Sequence, residues 1–430
     1  MSKIETAGGS ATSTETTEAM NSGGKSAIDI NGNVCKVPDF TIKDILGAIP
    51  EHCYERRLYE SLYYVFRDIT CVASIGVFAN KYAYPFLFDG IAIDTMYTKL
   101  AKFTFWFGYT CIQGLFCTGI WVLAHECGHQ AFSDYGVIND FVGWLLHSYL
   151  MVPYFSWKYS HSKHHKSTNH LTRDTVFVPP TTEQFKKKRG LVGDMIYNHS
   201  GDSPIRTLIE LLLQQLAGWI AYITTNVTGQ DYPAVAAWKC NHFYPTSPLF
   251  EKKDVLYIFL SDVGVLTQLL VLKIWYDKFG GWSVFINWFI PYLWTNHWLV
   301  FITYLQHTDT EVPHYDADEW TFAKGAAATI DRKFGFVGPF MFHDIIETHV
   351  SHHFCSRIPF YNARDASAAI KKVMGEHYKS SDENMWKSLW KSAKSCQYVE
   401  GDNGVLMFRN INKVGIDFTN DGNNDIKKNK

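Results

Sequence analysis

The sequence predicts an all-α integral membrane protein with four transmembrane helices, further helices lying at the interface, and a large polar portion. Three observations carry this. Several stretches hold about 20 mostly apolar residues, the length a helix needs to cross a bilayer. Aromatic residues make up 16% and charged residues only 19% of the 430 positions, a balance suited to a protein with much bilayer interface. The mean hydropathy is nevertheless slightly negative, at -0.12, so spans cannot be the whole molecule.

Residues 1–33 are rich in Ser, Thr, Gly and Glu and read as a disordered tail. No apolar run marks a signal peptide there. Residues 34–410 form the expected domain, and 411–430 a polar tail. From Asp44 to Asp68 aromatic and charged residues alternate, which predicts an interfacial helix. The expected spans are Ile69–Phe88, Phe103–Ala124, Val255–Trp275 and Trp282–Leu305, with a short turn at Asp277–Gly281 between the last two. Val137–Phe155 and Leu208–Val227 are apolar but carry Asp140, His147 and Glu210. They read as interfacial or re-entrant helices. Two amphipathic helices, Ala363–Tyr378 and Asp382–Tyr398, should follow, the second capped by Ser380 or Ser381.

Composition excludes several functions. The formal net charge of -2 leaves no basic excess for nucleic acid. The nine cysteines are scattered, with no Cys-x-x-Cys pair, so neither a disulfide framework nor a zinc-thiolate site is expected.

Histidine is the informative residue. Three clusters occur: His125 and His129; His161, His164 and His165; His349, His352 and His353. On a helix, positions i, i+3 and i+4 share one face, so each cluster aims its imidazoles in one direction. Two His-x-x-His-His patterns are improbable by chance, at roughly 0.03 expected for each. Eight imidazoles are too many for one ion and suit two, with iron, zinc, copper or nickel all compatible with nitrogen ligands. The histidines at 52, 147, 170, 199, 242, 297, 314, 343 and 377 read as ordinary core or interfacial residues. Among them His170 and His343 are the best placed to support ligands.

A rival reading takes His125-Glu126-x-x-His129 as the zinc-hydrolase motif, with Glu126 as general base. An intramembrane protease of that type would draw a third ligand from a downstream Asp-Gly. The chain offers only Asp421-Gly422, in the polar tail, and six clustered histidines would stay without a task.

With their flanks, the clusters resemble the membrane-bound fatty-acid desaturases. Trp121-Val-Leu-Ala-His-Glu-Cys-Gly-His-Gln-Ala-Phe-Ser133, Pro153-Tyr-Phe-Ser-Trp-Lys-Tyr-Ser-His161, Tyr304-Leu-Gln-His-Thr308 and Phe342-His-Asp-Ile-Ile-Glu-Thr-His-Val-Ser-His-His353 are similar to the fungal and plant acyl-lipid delta-12 (oleate) branch. The resemblance implies four spans beneath a cytosolic helical cap that holds two iron ions (Fe2+/Fe3+), with O2 as co-substrate. It implies His125, His129, His161, His164, His165, His349, His352 and His353 as ligands, and His307, at the end of the fourth span, as a ninth. Glu126 then supports ligands or handles protons. The expected reaction places a cis double bond at delta-12 of oleoyl chains on membrane phospholipid, in an apolar tunnel beside the clusters. Omega-3 (delta-15) desaturation of linoleoyl chains is the alternative, and hydroxylases share the scaffold.

No nucleotide-binding Gly pattern or fused cytochrome motif is present. The resemblance implies electrons from free cytochrome b5 and NADH-cytochrome b5 reductase, with Lys158 and Lys163 as candidate docking residues. Positive charge travels with the His-rich segments, which places them in the cytosol. Lys427-Lys428-Asn429-Lys430 matches a dilysine signal for the endoplasmic reticulum. Both termini are then cytosolic, and the Asn198-His199-Ser200 sequon stays unglycosylated.

Overall fold

A computed structural model describes residues 25–91 and 95–412. Among the described residues, four helical segments are long and apolar enough to cross a membrane: Leu58–Phe88, Met96–Gly128, Pro204–Thr225 and Lys252–His307. They are not the four expected spans one for one. Lys252–His307 holds two of those, and Pro204–Thr225, read from sequence as interfacial, meets the same criterion.

The first helical rod runs from α1 (Leu58–Val77) through a π-helical turn at Phe78–Ala83 to Phe88. The segment read as one interfacial helix from Asp44 to Asp68 is therefore divided. A short helix at Ile42–Ala48 and a single turn at Glu51–Tyr54 precede α1, and residues from Leu58 on already belong to the rod. Asp68, the last residue of that segment, is fully buried and pairs with Arg67 and His343. The polar Asn80 falls in the π turn, where its amide donates to Asn287 Oδ1 at 2.7 Å.

Helix α2 (Met96–Gly128) has 33 residues, about 50 Å at 1.5 Å per residue. That exceeds the roughly 30 Å hydrocarbon core, so its last turns extend beyond it. Helix α3 (Gly136–Tyr149) has 14 residues, too few to span, as expected of an interfacial or re-entrant element. Helix α4 (Tyr154–Ser167) follows, then α5 (Thr182–Ser200) and α6 (Pro204–Thr225). Helix α7 (Val255–Val284) is broken near its end at Gly280, at φ 81° and ψ 163°, and a π turn at Phe285–Phe289 leads on to α8 (Ile290–His307). Only glycine adopts that backbone readily, and it falls within the turn expected at Asp277–Gly281. Trp275 Nε1 donates to Ser283 Oγ at 3.0 Å across it.

Helix α8 packs against α2 and α6, and Trp121, Trp219, Trp298, Phe301 and Leu305 form the centre of the main core. Gly114 sits where a Cβ would come within 2.2 Å of Trp294 Cβ, so the close approach of α2 and α8 depends on it. A second core joins the Ile42–Ala48 helix to α9 (His349–Phe354) and α10 (Phe360–Met374) through Ile45, Val350, Phe354 and Ile370.

Among the described residues, three short sheets supplement the helices. β1 (Ser26–Ile28) pairs antiparallel with β2 (Val34–Lys36). β3 (His314–Tyr315), β7 (Val405–Arg409) and β6 (Tyr398–Glu400) form a second sheet in that order. β4 (Asp331–Arg332) pairs with β5 (Ser380–Ser381). Ordered structure thus begins before residue 34, inside the expected tail. The Asp29 carboxylate accepts from the backbone of Asn31 and Asn33 and closes the turn, while Arg409 donates to the Ile28 carbonyl. The rest of that tail and the dilysine sequence lie outside the described residues. Helix α11 (Met385–Ser395) is capped by Asn384, which accepts from the amides of Trp386 and Lys387, not by Ser380 or Ser381. Those serines are engaged in β5.

Candidate metal centre

The first histidine cluster occupies the last turn of α2, where His129 is the C-cap residue. The second lies on α4 and the third on α9. Helical spacing delivers each set to one face, as expected. The three faces meet in two groups. His125, His129, His161, His165 and His352 bring ring nitrogens within 4.8 Å of one another, and so do His164, His307 and His353. His349 joins the second group, its Nε2 lying 3.0 Å from His307 Nε2. His165 and His353 stack at 4.2 Å between ring centroids, so the groups are immediate neighbours.

Ring nitrogens converge within each group. Nε2 to Nε2 distances are 3.2 Å for His125 and His129 and 3.1 Å for His161 and His165. The Nε2 atoms of His352 and His353 are buried without a hydrogen-bond partner. Buried polar atoms rarely stay unpaired, and a cation between facing lone pairs is the partner such an arrangement lacks. Burial, with neighbouring imidazoles adding to it, holds His161, His165, His349 and His353 well below the usual imidazole range. They are therefore neutral, the form that coordinates metal. Both groups consist of imidazoles alone, a donor set that iron, zinc, copper and nickel accept. The residues fit two ions.

Supporting contacts fix the rings. Asp174, buried, accepts from His164 Nδ1 at 2.7 Å and from the amides of Asn169 and Val176. His164 Nε2 is thereby left for a metal. Thr168 donates its hydroxyl to the His164 carbonyl and accepts from His353 Nδ1 at 3.0 Å. Trp157 stacks on His161 at 4.4 Å. Asp331 holds the start of α9 by accepting from the Val350 amide at 2.8 Å. Neither Asp174 nor Asp331 was singled out from sequence.

Glu126 accepts from the Phe360 amide at 3.0 Å. With His343 and His352 it walls a small cavity of about 10 Å³. His343 itself bonds Asp68 at 2.8 Å, while His170 accepts from the Thr172 amide and belongs to neither group. The hydrolase reading loses ground: His125 and His129 sit among three further imidazoles, and Asp421-Gly422 lies outside the described residues. Lys158 pairs with Asp140 and Lys163 donates to the Leu249 carbonyl at 2.6 Å. Both are half-buried or more in internal contacts, so they are not the free docking charges expected of them.

A cavity of about 140 Å³ opens beside the histidines. His125, His161, His164, His307 and His349 form one wall, and Trp121, Trp219, Leu299 and Ile302 are among its apolar lining. An apolar channel next to the clusters is what an acyl chain requires.

The family model for fatty acid desaturases matches residues 103–383. An oleate hydroxylase of Claviceps purpurea is 43% identical over 411 residues, covering 90% of this chain and 84% of its own. A delta(12) fatty acid desaturase of Mortierella isabellina is 41% identical over 401 residues, covering 92% and 96%. A protein of Brassica juncea named omega-6 fatty acid desaturase, endoplasmic reticulum, is 38% identical, covering 87% and 93%. With the family model matching well over half of its length and relatives of this identity covering nearly all of it, the chain is a membrane oxidoreductase that belongs to the fatty acid desaturase family.

Proposed function

We propose that the protein introduces a cis double bond at delta-12 of oleoyl chains carried on membrane phospholipid, giving linoleoyl chains. The observation that carries this reading is the apolar cavity with imidazoles of both groups in its wall. The delta-12 position draws support from the similarity to the Mortierella enzyme. In the overall reaction, one CH2–CH2 unit, O2, two electrons and two protons give one CH=CH unit and two waters.

The nine histidines are proposed to hold two iron ions, which when bound supply the redox chemistry that lets O2 remove hydrogen from an unactivated C–H bond. The chain itself shapes the event. Trp121, Trp219 and Leu299 exclude water from the chain's path. Asp174 and Thr168 hold His164 and His353 with Nε2 turned to the centre. Glu126 tethers α10 through the Phe360 amide and faces the small cavity beside His352, where a proton carrier can reach the centre. Electrons are proposed to come from cytochrome b5 and its NADH-dependent reductase. The protein is placed in the endoplasmic reticulum membrane, with both termini and the histidine groups cytosolic.

A second reading has specific support. The Claviceps relative named an oleate hydroxylase is 43% identical, and hydroxylation, like desaturation, begins with removal of hydrogen from an unactivated C–H bond. Expression in a host whose fat is only monounsaturated, followed by product analysis, separates the readings. Linoleate is expected. A hydroxylated oleate, or product from supplied linoleate but not from oleate, would reverse the assignment.

A further inference from the structure

A second pocket, of about 290 Å³, lies between α5, α6, α8 and α11. Gln214 and Tyr304 line both this pocket and the histidine-walled cavity, so the two spaces adjoin at those side chains. Their characters differ. The inner space is apolar apart from its histidines and a few polar side chains, whereas Arg206, Glu210, Thr207 and Gln397 face the outer one.

The surroundings put the outer pocket at a membrane boundary. Leu208, Leu212, Leu213 and Leu216 on α6 are exposed, while Leu211, Gln215, Trp219 and Tyr222 on the same helix are buried. A helix with an apolar face turned outward needs lipid against it. Arg206 and Glu210 sit at the start of α6, where that face begins.

Arg206 is the cation that lines this wall. Its Nε donates to Glu210 Oε1 at 2.8 Å, and Glu210, 54% exposed, leaves the carboxylate side of the pair open to solvent and able to swing away. Its guanidinium also lies 5.0 Å from the centre of the Tyr197 ring. A guanidinium presents a planar fork that matches two oxygens of a phosphodiester.

We propose that this outer pocket binds the phosphodiester head of the substrate lipid through Arg206, so that the esterified chain passes Gln214 and Tyr304 into the histidine-walled cavity. The proposal rests on the acyl-lipid reading above and names where the lipid's head is held.

The test reads binding, not turnover. Purified full-length protein is offered dioctanoyl phosphatidylglycerol or dioctanoylglycerol, and retention is measured by native mass spectrometry. Arg206→Gln is expected to weaken the phospholipid about tenfold and to leave the diacylglycerol unchanged. Glu210→Gln, which frees the guanidinium, is expected to strengthen the phospholipid about threefold. Opposite signs from two partners of one ion pair are not the result of a merely structural role. Inorganic phosphate in millimolar excess is expected not to displace the phospholipid. Unchanged phospholipid affinity in Arg206→Gln, an equal loss for both lipids, weakening by Glu210→Gln, or displacement by free phosphate would each overturn the proposal. A product other than linoleate would revise the reaction and leave these affinities as they stand.

Discussion

His307 Nε2 lies 3.0 Å from His349 Nε2, so a lone histidine at the end of a membrane helix faces one from the third cluster. His164 and His353 complete that group. His307→Gln keeps size and polarity but coordinates poorly. It is expected to lower bound iron and eliminate activity. His314→Gln, seven residues on, is expected to keep most of both, because His314 packs on Phe408 outside either group. Metal analysis beside product analysis checks the pair. Full iron occupancy in the His307 variant would remove it from the ligand set.

Asp174 is buried, and its carboxylate accepts a hydrogen bond from His164 Nδ1 at 2.7 Å. Asp174→Asn keeps the shape and loses the charge. Metal affinity is expected to fall about 10–100-fold, as for other partners of ligating histidines. A chelator titration of the purified variant gives the number. Unchanged affinity would mean that His164 does not need this orientation.

Gly218 lines the histidine-walled cavity, and a Cβ there would meet Val300 at 3.5 Å, ordinary contact. Gly218→Ala is therefore expected to be tolerated. Gly218→Phe is expected to obstruct the cavity and lower turnover of oleoyl lipid more than tenfold, with iron content unchanged. Loss of iron together with activity in the Phe variant would point to a collapsed centre, not an obstructed channel.

Cytosolic placement of the histidine groups predicts that Asn198 carries no glycan when the protein is made in eukaryotic cells. A mobility shift on glycosidase treatment, abolished by Asn198→Gln, would invert the proposed sidedness.

The eight clustered histidines were legible because helical spacing repeats within a few residues, and the helices formed as that spacing requires. His307 has no local pattern and was reached only through resemblance. Asp174 and Asp331 escaped for a different reason. Their partners, His164 and the Val350 amide, lie 10 and 19 residues away, and no short-range periodicity links a loop carboxylate to a distant ring or helix end. Ser26–Ile28 is held locally by its pairing with Val34–Lys36, but its tie to the rest of the molecule, from Arg409 to the Ile28 carbonyl, is again long-range. Hydropathy located the apolar segments but not their partnership. Pro204–Thr225 passes the length test of a span while its Trp219 and Tyr222 wall the apolar cavity. Lys158 and Lys163 show the limit of charge reading, since a lysine's sequence context does not reveal that its ammonium is already used internally.

Nine imidazoles, seven of them buried, are proposed to hold two iron ions at the wall of the apolar cavity. Metal content of the purified, active enzyme tests it most directly. About two irons per chain are expected from two all-imidazole groups, with loss of both iron and turnover when His125, His161 or His352 is replaced by Ala. Full activity with stoichiometric zinc in place of iron, or turnover in the absence of O2, would contradict it.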